Sequence, residues 1–236
     1  KSISEKIYGR VNDVLRRNGF VNYFFRKVTT ASWLEDNPIY QYLYWRRIKG
    51  LIKKWAYFPP VVLVGITNIC NSRCRICPIE KHPLPKGIMT VELFERIIKE
   101  CHAMGVQKII LSGGEPLLDQ TLVDKIILSK KIAPEIRVVM FTNGSLLTAD
   151  IARKLVESGL DEITISFDGT NEKSYEYIRR NLDYQKVAAN IRTLREIRDK
   201  INVFKKPFIR MDMVSLETNK DNHNAFIRET EAMADL

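Results

Sequence analysis

Short runs of β-branched, aromatic and other apolar residues alternate along the chain with longer segments in which apolar residues recur every three or four positions. Runs of the first kind predict β-strands. Five such strands are predicted at Val61 to Thr67, Lys108 to Ser112, Arg137 to Thr142, Glu162 to Phe167 and Pro207 to Ser215. The longer segments have the period of an amphipathic helix. Strands and helices therefore alternate over the chain beyond residue 60.

The clearest predicted helix starts after Thr90, a residue type that caps helix N-termini, and stops at Gly105. Its predicted apolar face consists of Leu93, Phe94, Ile97, Ile98, Cys101 and Met104. A second predicted helix carries Leu118, Leu122, Val123, Ile126 and Ile127. A third starts after Thr148 and ends before Gly159, and a fourth spans roughly Tyr184 to Arg198. Repeated strand–helix units predict an α/β fold with parallel strands and right-handed crossovers, in a barrel or a doubly wound sheet.

Unusual sequences follow four of the predicted strands. They are the cysteine-rich stretch 66–77, Gly113-Gly114-Glu115-Pro116, Asn143-Gly144 and Asp168-Gly169. In both parallel architectures, ligands bind at the carboxyl ends of the strands. We therefore expect the functional site at that edge.

Three cysteines, Cys70, Cys74 and Cys77, lie within eight residues. Their thiolates suit an iron–sulfur cluster or zinc. Three ligands leave one coordination position open, as in metal sites that perform chemistry. Arg73 and Arg75 add positive charge that favours thiolates. The fourth cysteine, Cys101, falls on a predicted apolar helix face, and no ligand role is assigned to it.

A structural zinc site is the alternative, with His82 as the fourth ligand. Sites of that kind typically stabilise small domains with a poor core, whereas this loop belongs to a large α/β core. That context favours the iron–sulfur cluster.

Positive charge is concentrated near the N-terminus. The net charge of the chain is +10, and residues 1–60 hold twelve Lys or Arg against four Asp or Glu, together with thirteen of the 22 aromatic residues. We therefore predict two parts: an N-terminal basic aromatic helical extension, 1–59, and a core domain, 60–236. Residues 40–58 suit contact with an anionic membrane surface, contact with nucleic acid, or packing as a helical collar.

The order of the motifs is similar to that of the radical S-adenosylmethionine (radical SAM) superfamily. The cysteine motif and Gly-Gly-Glu-Pro are followed by Thr142-Asn143-Gly144, by Ser166-Phe167-Asp168-Gly169 and by Tyr177-Ile178-Arg179. The resemblance covers about Val61 to Asp221 and is strongest to the SPASM/twitch-type, peptide-modifying branch. Ile76 departs from the pattern, because relatives often have an aromatic residue there.

The resemblance implies a partial (β/α)6 TIM-like barrel that is incomplete at its C-terminus, ending after the fifth strand–helix unit. It also implies a [4Fe-4S] cluster on Cys70, Cys74 and Cys77 that cleaves S-adenosylmethionine to a 5′-deoxyadenosyl radical, which abstracts hydrogen from substrate. The implied cofactor-binding residues are Gly113, Gly114, Glu115, Pro116, Asn143, Ser166, Asp168, Arg179 and Ile76. Gly113 and Gly114 would let the backbone approach the cofactor, Glu115 would accept from its ammonium group, Ser166 and Asp168 would contact the ribose, and Arg179 the carboxylate.

Each of these residues also has an ordinary structural explanation. The glycine-containing pairs are common turn sequences. Arg179 adjoins Arg180 on a predicted helix, where a solvated face is the usual position. Three functions follow: a radical SAM enzyme, a zinc-stabilised nucleic-acid-binding module, and a non-catalytic radical SAM-like scaffold.

The radical SAM enzyme is the favoured function. Its substrate is unknown, with a peptide or a lipid or membrane-associated molecule as the expected classes. The expected electron donor is flavodoxin or ferredoxin, and a nucleic-acid partner is disfavoured. With no visible signal sequence, membrane-spanning run or disulfide framework, the expected location is the cytoplasm, with membrane association through residues 40–58.

Overall fold

The computed structural model describes residues 58–81, 84–202, 204, 206–216 and 223–235, and the isolated helical positions 38, 42, 46, 49 and 50. The chain divides into two compact units, Lys1–Tyr57 and Phe58–Leu236. Most of the predicted helical extension 1–59, including most of the basic aromatic segment 40–58, lies outside the described residues, as does His82. Among the described helices, none is long and apolar enough to cross a membrane.

Five parallel strands form one sheet in the order of the chain. They are β1 (Val61–Thr67), β2 (Lys108–Gly113), β3 (Arg137–Thr142), β4 (Glu162–Ser166) and β5 (Phe208–Asp212). A doubly wound sheet reverses its strand order, whereas a barrel does not. The sequential order therefore confirms the α/β class and the partial TIM-like barrel. The fifth strand is shorter than predicted, because residues 213–216 leave the sheet.

Six helices flank the strands in the described part of the core unit. They are α1 (Val91–Ala103), α2 (Leu122–Ile132), α3 (Ala149–Glu157), α4 (Glu172–Ile178), α5 (Tyr184–Ile201) and α6 (His223–Glu231), with 3₁₀ turns at Ile79–Lys81 and Pro116–Leu118. The cap predicted at Thr90 is confirmed, because its side chain accepts from the backbone N–H of Leu93. The side chain of Thr148 caps α3 in the same way by accepting from the N–H of Ile151.

Leu93, Met104 and Ile127 lie at the edges of the predicted apolar faces and are 40%, 48% and 48% exposed. Two details of the helix predictions are wrong. Leu118 closes a 3₁₀ turn, and α2 begins only at Leu122. A helix was predicted at Arg179 and Arg180, whereas the short helix α4 ends at Ile178 and Arg179 is its C-cap. Helix α4 has seven residues and is fixed by a capping box between Asn171 and Ser174.

The core lies on one face of the sheet. Alternate strand residues such as Val64, Ile109, Met140 and Ile165 are buried with the apolar residues of the helices. The opposite, concave face is more polar near the carboxyl ends of the strands. There Ser166 of β4 lies in register with Asp212 of β5. This arrangement leaves the carboxyl edge of the sheet as the place where the loops meet.

Candidate cofactor site

The cysteine loop leaves β1 and is held against the end of α4. The backbone N–H of Arg73 donates to the carbonyl oxygen of Arg180 at 3.0 Å, and that of Arg75 donates to Ile178 at 2.9 Å. The Arg75 guanidinium lies 4.1 Å from the centre of the Tyr177 ring, and its Nε donates to the Tyr177 carbonyl at 2.8 Å. The loop is therefore fixed by a segment about a hundred residues away in sequence.

The three cysteines on this loop differ in exposure. Cys70 is partly buried, Cys74 is buried and Cys77 is exposed. The hydroxyl of the buried Ser72 lies 3.1 Å from the sulfur of Cys70 and 3.4 Å from that of Cys74. Among the described residues, no three His, Cys, Asp or Glu side chains converge on one metal-ion position. A cubic cluster does not need such convergence, because each cysteine binds a different iron.

Gly113 and Gly114 are required by close packing on the start of the cysteine loop. A Cβ on Gly113, whose φ is +125°, would lie 2.1 Å from the Thr67 carbonyl oxygen, and one on Gly114 would lie 2.0 Å from that of Ile69. The N–H groups of Gly114 and Glu115 donate to these same oxygens at 2.6 and 2.8 Å. Approach of the two glycines to a cofactor stays a prediction, but the protein's own backbone already explains the missing side chains.

Glu115 is almost completely buried and joins three segments. Its carboxylate accepts from the Thr142 hydroxyl at 2.6 Å, from the Asn143 N–H at 2.8 Å and from the Leu117 N–H at 3.1 Å. Burial raises the pKa of Glu115, while the bonds from Asn143 and Thr142 act in the opposite direction. Glu115, the predicted acceptor for the cofactor's ammonium group, therefore already holds the end of β3 in place through these hydrogen bonds. Pro116, the next residue, is buried at the start of its 3₁₀ turn.

Asn143 connects the end of β3 to the cysteine loop. Its side-chain N–H donates to Oδ1 of Asn71 at 2.9 Å, while Asn71 donates to the Ser145 hydroxyl at 2.8 Å. The Ser145 hydroxyl closes the network by donating to Oδ1 of Asn143 at 2.7 Å. Asn143 therefore orients the loop, and any cofactor contact would be additional.

Asp168, Arg179 and Cys74 meet on the other side of the loop. Asp168 is fully buried; one carboxylate oxygen accepts from Arg179 at 2.5 Å and the other from the Val214 N–H at 2.7 Å. A second nitrogen of Arg179 lies 3.7 Å from the sulfur of Cys74. Burial acts to lower the pKa of Arg179, but the charges of Asp168 and Cys74 outweigh burial and raise it.

Arg179 does not lie on a solvated helix face, which was the ordinary structural explanation for this residue. Arg179 caps the C-terminus of α4, and its side chain is only 13% exposed. It carries a positive charge next to a predicted cluster ligand. A thiolate at Cys74 would be stabilised by this charge, so the residues present fit an anionic iron–sulfur cluster.

The remaining predicted residues lie near this group. Ser166 is on the concave face at the end of β4, and Ile76 is 38% exposed beside Cys77. Cys101 is buried in the core on α1, as predicted. The structure therefore brings the predicted site residues to the carboxyl edge of the sheet. Their roles toward a cofactor remain predictions.

Sequence reasoning missed four residues at the site: Asn71, Ser72, Thr142 and Tyr175. Asn71 and Ser72 lie inside the cysteine motif, and Thr142 lies inside the motif Thr142-Asn143-Gly144. Their positions in these motifs could therefore have indicated that they belong to the site. Tyr175 had none, because its place depends on α4. It is fully buried, and its hydroxyl has no hydrogen-bond partner within the described part of the chain.

Comparison with known proteins places these features in a family. A family model described as the radical SAM superfamily matches residues 64–208, more than half of the chain. GTP 3′,8-cyclase from Clostridium perfringens is 33% identical over 143 residues, 59% of this chain and 44% of that protein. Molybdenum cofactor biosynthesis protein 1 from Drosophila melanogaster is 33% identical over 170 residues, 71% of this chain and 30% of that protein. The chain thus spans less than half the length of these two relatives.

Solved structures share the fold. Streptococcus suis SuiB bound to precursor peptide SuiA matches with a TM-score of 0.64 and 16% identity, over 92% of this chain and 51% of that chain. Native anSMEcpe with bound AdoMet and Cp18Cys peptide matches with a TM-score of 0.59 and 21% identity, over 73% of this chain and 48% of that chain. At these identities the likeness concerns the fold alone.

Proposed function

Because this chain belongs to the radical SAM superfamily, we propose that it is the part of an enzyme that cleaves S-adenosylmethionine reductively at a [4Fe-4S] cluster. The family's cofactors are this cluster and S-adenosylmethionine, which together supply a 5′-deoxyadenosyl radical that abstracts hydrogen from a substrate. The observation that carries the proposal is the cysteine loop, which presents three thiols and has the Arg179 cation 3.7 Å from the middle one.

In this proposal Cys70, Cys74 and Cys77 are the protein ligands of the cluster. Arg179 offsets the negative charge of the thiolates, and Asp168 holds Arg179 in place at 2.5 Å. Ser72 orients two of the ligands through its hydroxyl.

The residues proposed to bind S-adenosylmethionine surround this loop: Gly113, Gly114, Glu115, Pro116, Asn143, Ser166, Asp168, Arg179 and Ile76. Glu115 and Asn143 contribute by fixing the edge of β3 against the loop, since their polar atoms already bond to it and to each other. A rigid site of this kind holds the reacting groups in a fixed orientation.

A radical SAM enzyme needs a reductant, and we propose an acidic one-electron donor such as flavodoxin or ferredoxin. The outer side of the cysteine loop supports this choice. It borders a cavity of about 390 Å³ whose lining includes Cys70, Arg73 and Lys86. Arg75 and Arg180 are also exposed nearby. A basic surface next to the cluster would attract an acidic donor.

The substrate class is an open part of the proposal. A peptide, or a lipid reached through membrane contact of residues 40–58 from the cytoplasm, is the expectation from the sequence. The relatives named GTP 3′,8-cyclase add GTP as a class to test. A panel of GTP, peptides and anionic phospholipid vesicles, with substrate-dependent formation of 5′-deoxyadenosine as the readout, distinguishes them.

Anaerobic reconstitution with iron and sulfide tests the reaction class. We expect about four irons per chain and release of 5′-deoxyadenosine from S-adenosylmethionine under strong reduction. Cys74→Ala should abolish both, whereas Cys101→Ala, the same substitution at a buried core cysteine, should retain them. Stoichiometric zinc with no iron uptake and no cleavage would contradict the proposal and favour the zinc-stabilised module. A full cluster without cleavage would instead favour the non-catalytic scaffold.

A further inference from the structure

A lysine is completely buried in the core unit. Lys125, in the first turn of α2, pairs with Asp119 at 2.5 Å, and the two side chains are 0% and 2% exposed. Burying two charges costs desolvation free energy that their attraction often fails to repay, and apolar residues of similar volume are often at least as stabilising. Stability alone therefore does not explain this pair.

The pair joins two segments of the chain. Asp119 ends the 3₁₀ turn that follows Glu115. The ammonium group of Lys125 donates to the carboxylate of Asp119 and also to the carbonyl oxygen of Met89, at 2.6 Å. Met89 ends the 85–89 segment, which leads into α1. Through this second bond, the turn after Glu115 is tied to the 85–89 segment.

The 85–89 segment is bonded to residues on both sides of the three cysteines. The side chain of Asn68 accepts from the N–H of Gly87 at 2.7 Å. The ammonium group of Lys86 donates to the carbonyl oxygens of Asn68 and Ile79 at 3.1 and 3.0 Å. Asn68 precedes the first cysteine and Ile79 follows the last. The segment therefore holds the two ends of the cysteine loop together.

The cysteine loop is also bonded directly to the segment that carries Glu115. The N–H groups of Gly114 and Glu115 donate to carbonyl oxygens at the start of the loop. The loop, the turn after Glu115 and the 85–89 segment thus contact one another in pairs, and Lys125 with Asp119 supplies the third of these contacts. A closed set of contacts fixes the position of Glu115 relative to the cysteines more firmly than two contacts would.

We propose that Lys125 and Asp119 are positioning residues of the cofactor site. They hold the Glu115 side of that site against the cysteine loop through the 85–89 segment, and so set the affinity for S-adenosylmethionine. This inference rests on the proposed function. The pair acts through the backbone that it holds, in the way that outer residues orient the ligands of a metal site.

Lys125→Met combined with Asp119→Asn removes both charges. It keeps the side-chain volumes and an acceptor for the Thr121 hydroxyl, which donates to Asp119 at 2.7 Å. The double variant should fold, because no charge is left buried without a partner. In the reconstituted full chain we expect about tenfold weaker S-adenosylmethionine binding. The measurement is a titration of S-adenosylmethionine followed by electron paramagnetic resonance (EPR).

Hydrogen exchange in the chain without cofactors is the second measurement. The backbone N–H groups of Gly87 and Met89 should exchange about tenfold faster in the double variant, because their segment has lost its bond to Lys125. Lys86→Met loosens the same segment from its exposed side, where no buried charge is altered. It should weaken S-adenosylmethionine binding as well.

Arg198→Met combined with Asp235→Asn is the matched control. It makes the same kind of change at a second ion pair, whose side chains are 0% and 16% exposed. Neither S-adenosylmethionine binding nor exchange in the 85–89 segment should change. An equal loss of affinity in this control would overturn the inference, since the effect would then follow from the loss of any buried pair.

The remaining outcomes separate the inference from the proposed function. Wild-type affinity in a folded, iron-loaded Lys125→Met, Asp119→Asn variant overturns the inference and leaves the proposed function intact, and faster exchange would then show a structural role alone. A wild-type chain that assembles no cluster overturns both. Weaker binding together with faster exchange, in this variant and not in the control, supports the inference.

Discussion

The two ends of the sheet use similar polar residues for different purposes. At the amino end Asp161 accepts from Lys206 at 2.7 Å and from the Val138 N–H at 2.9 Å, and also pairs with Lys130. At the carboxyl end Asp168 binds Arg179, whose other nitrogen faces Cys74. The amino-end charges are satisfied by one another, whereas at the carboxyl end the Arg179 cation, besides pairing with Asp168, also faces the thiol of Cys74.

Two further ion pairs extend the same pattern at the amino end. Arg137 pairs with Glu162 across β3 and β4, and Arg198 pairs with Asp235, which also accepts from the Ile209 N–H at 2.8 Å. Neither ion pair is close to the cysteine loop in sequence, and neither is hydrogen-bonded to it. In parallel barrels the carboxyl face carries function and the other face carries stability. Substitutions at the two ends should therefore have separable effects.

The largest effect is expected for Gly114→Ala. The new Cβ would lie 2.0 Å from a backbone oxygen of the cysteine loop, so either the loop or β2 must move. We expect a loss of about 3 kcal/mol in the free energy of unfolding and loss of iron binding. Urea denaturation and iron analysis measure the two effects.

The control for that substitution is Gly65→Ala, where the added Cβ would meet no atom within 4 Å. It should keep the cluster. Equal iron content in the two variants would show that close packing of Gly114 on the loop does not position the cysteines.

Asp168→Asn should have the next largest effect. It leaves the largely buried Arg179 without its carboxylate, and breaking such a pair typically costs about 3 kcal/mol or more. Since Arg179 would no longer be held beside Cys74, iron retention and cofactor cleavage should fall as well. Urea denaturation, iron content and 5′-deoxyadenosine release are the measurements. Normal cleavage in a destabilised variant would reduce the pair to a purely structural role.

Asp161→Asn makes the same substitution at the opposite end of β4. Bonds to a charged acceptor are lost, so we expect about 2 kcal/mol of destabilisation at neutral pH with normal iron content and normal cleavage per folded chain. Denaturation and cofactor cleavage measured on the same samples test this separation. A loss of iron as large as that of Asp168→Asn would contradict the division between the two ends.

The pH dependence of stability adds a test of Asp161. Burial would raise the pKa of this carboxyl, but bonds from Lys130, Lys206 and Val138 outweigh burial and lower it. A lowered pKa gives stability that is present above the unfolded pKa of about 3.9 and is lost as pH falls through the folded pKa. Wild type should therefore lose more stability than Asp161→Asn below about pH 4, as followed by thermal unfolding. Parallel curves would contradict this assignment.

The smallest effect is expected at the surface pair of Lys154 and Asp150, 2.7 Å apart on α3. Both side chains are more than half exposed, so Lys154→Ala should change stability by no more than about 0.5 kcal/mol. Cofactor cleavage should not change. Thermal unfolding measures the change in stability. A change clearly larger than about 0.5 kcal/mol would contradict the prediction that exposed ion pairs contribute little to the stability of this fold.

The sequence predicted the strands and the carboxyl-edge motifs well, for a physical reason. Strand runs such as Val61–Thr67 and Arg137–Thr142 carry their signal locally, and parallel topology then brings their ends together. Glu115 and Asn143 were placed at the carboxyl edge on that basis, and the resemblance to the radical SAM superfamily then implied that they bind the cofactor.

What could not be predicted depends on contacts between distant segments. Arg179 lies 105 positions from Cys74 in sequence, and its contact with the sulfur exists only because α4 ends against the cysteine loop. The orphan hydroxyl of Tyr175 depends on the same packing. A seven-residue helix has too little periodicity for its bounds to be recognised, so the extent of α4 and the burial of Tyr175 were missed, whereas Arg179 was named from the family resemblance.

The most direct test of the carboxyl edge as the cofactor site is the EPR spectrum of the reduced, reconstituted chain before and after addition of S-adenosylmethionine. We predict a reduced-cluster signal that changes when S-adenosylmethionine is added, and no such signal in Cys74→Ala. A wild-type chain that shows no cluster signal, or a signal that S-adenosylmethionine leaves unchanged, would contradict the account.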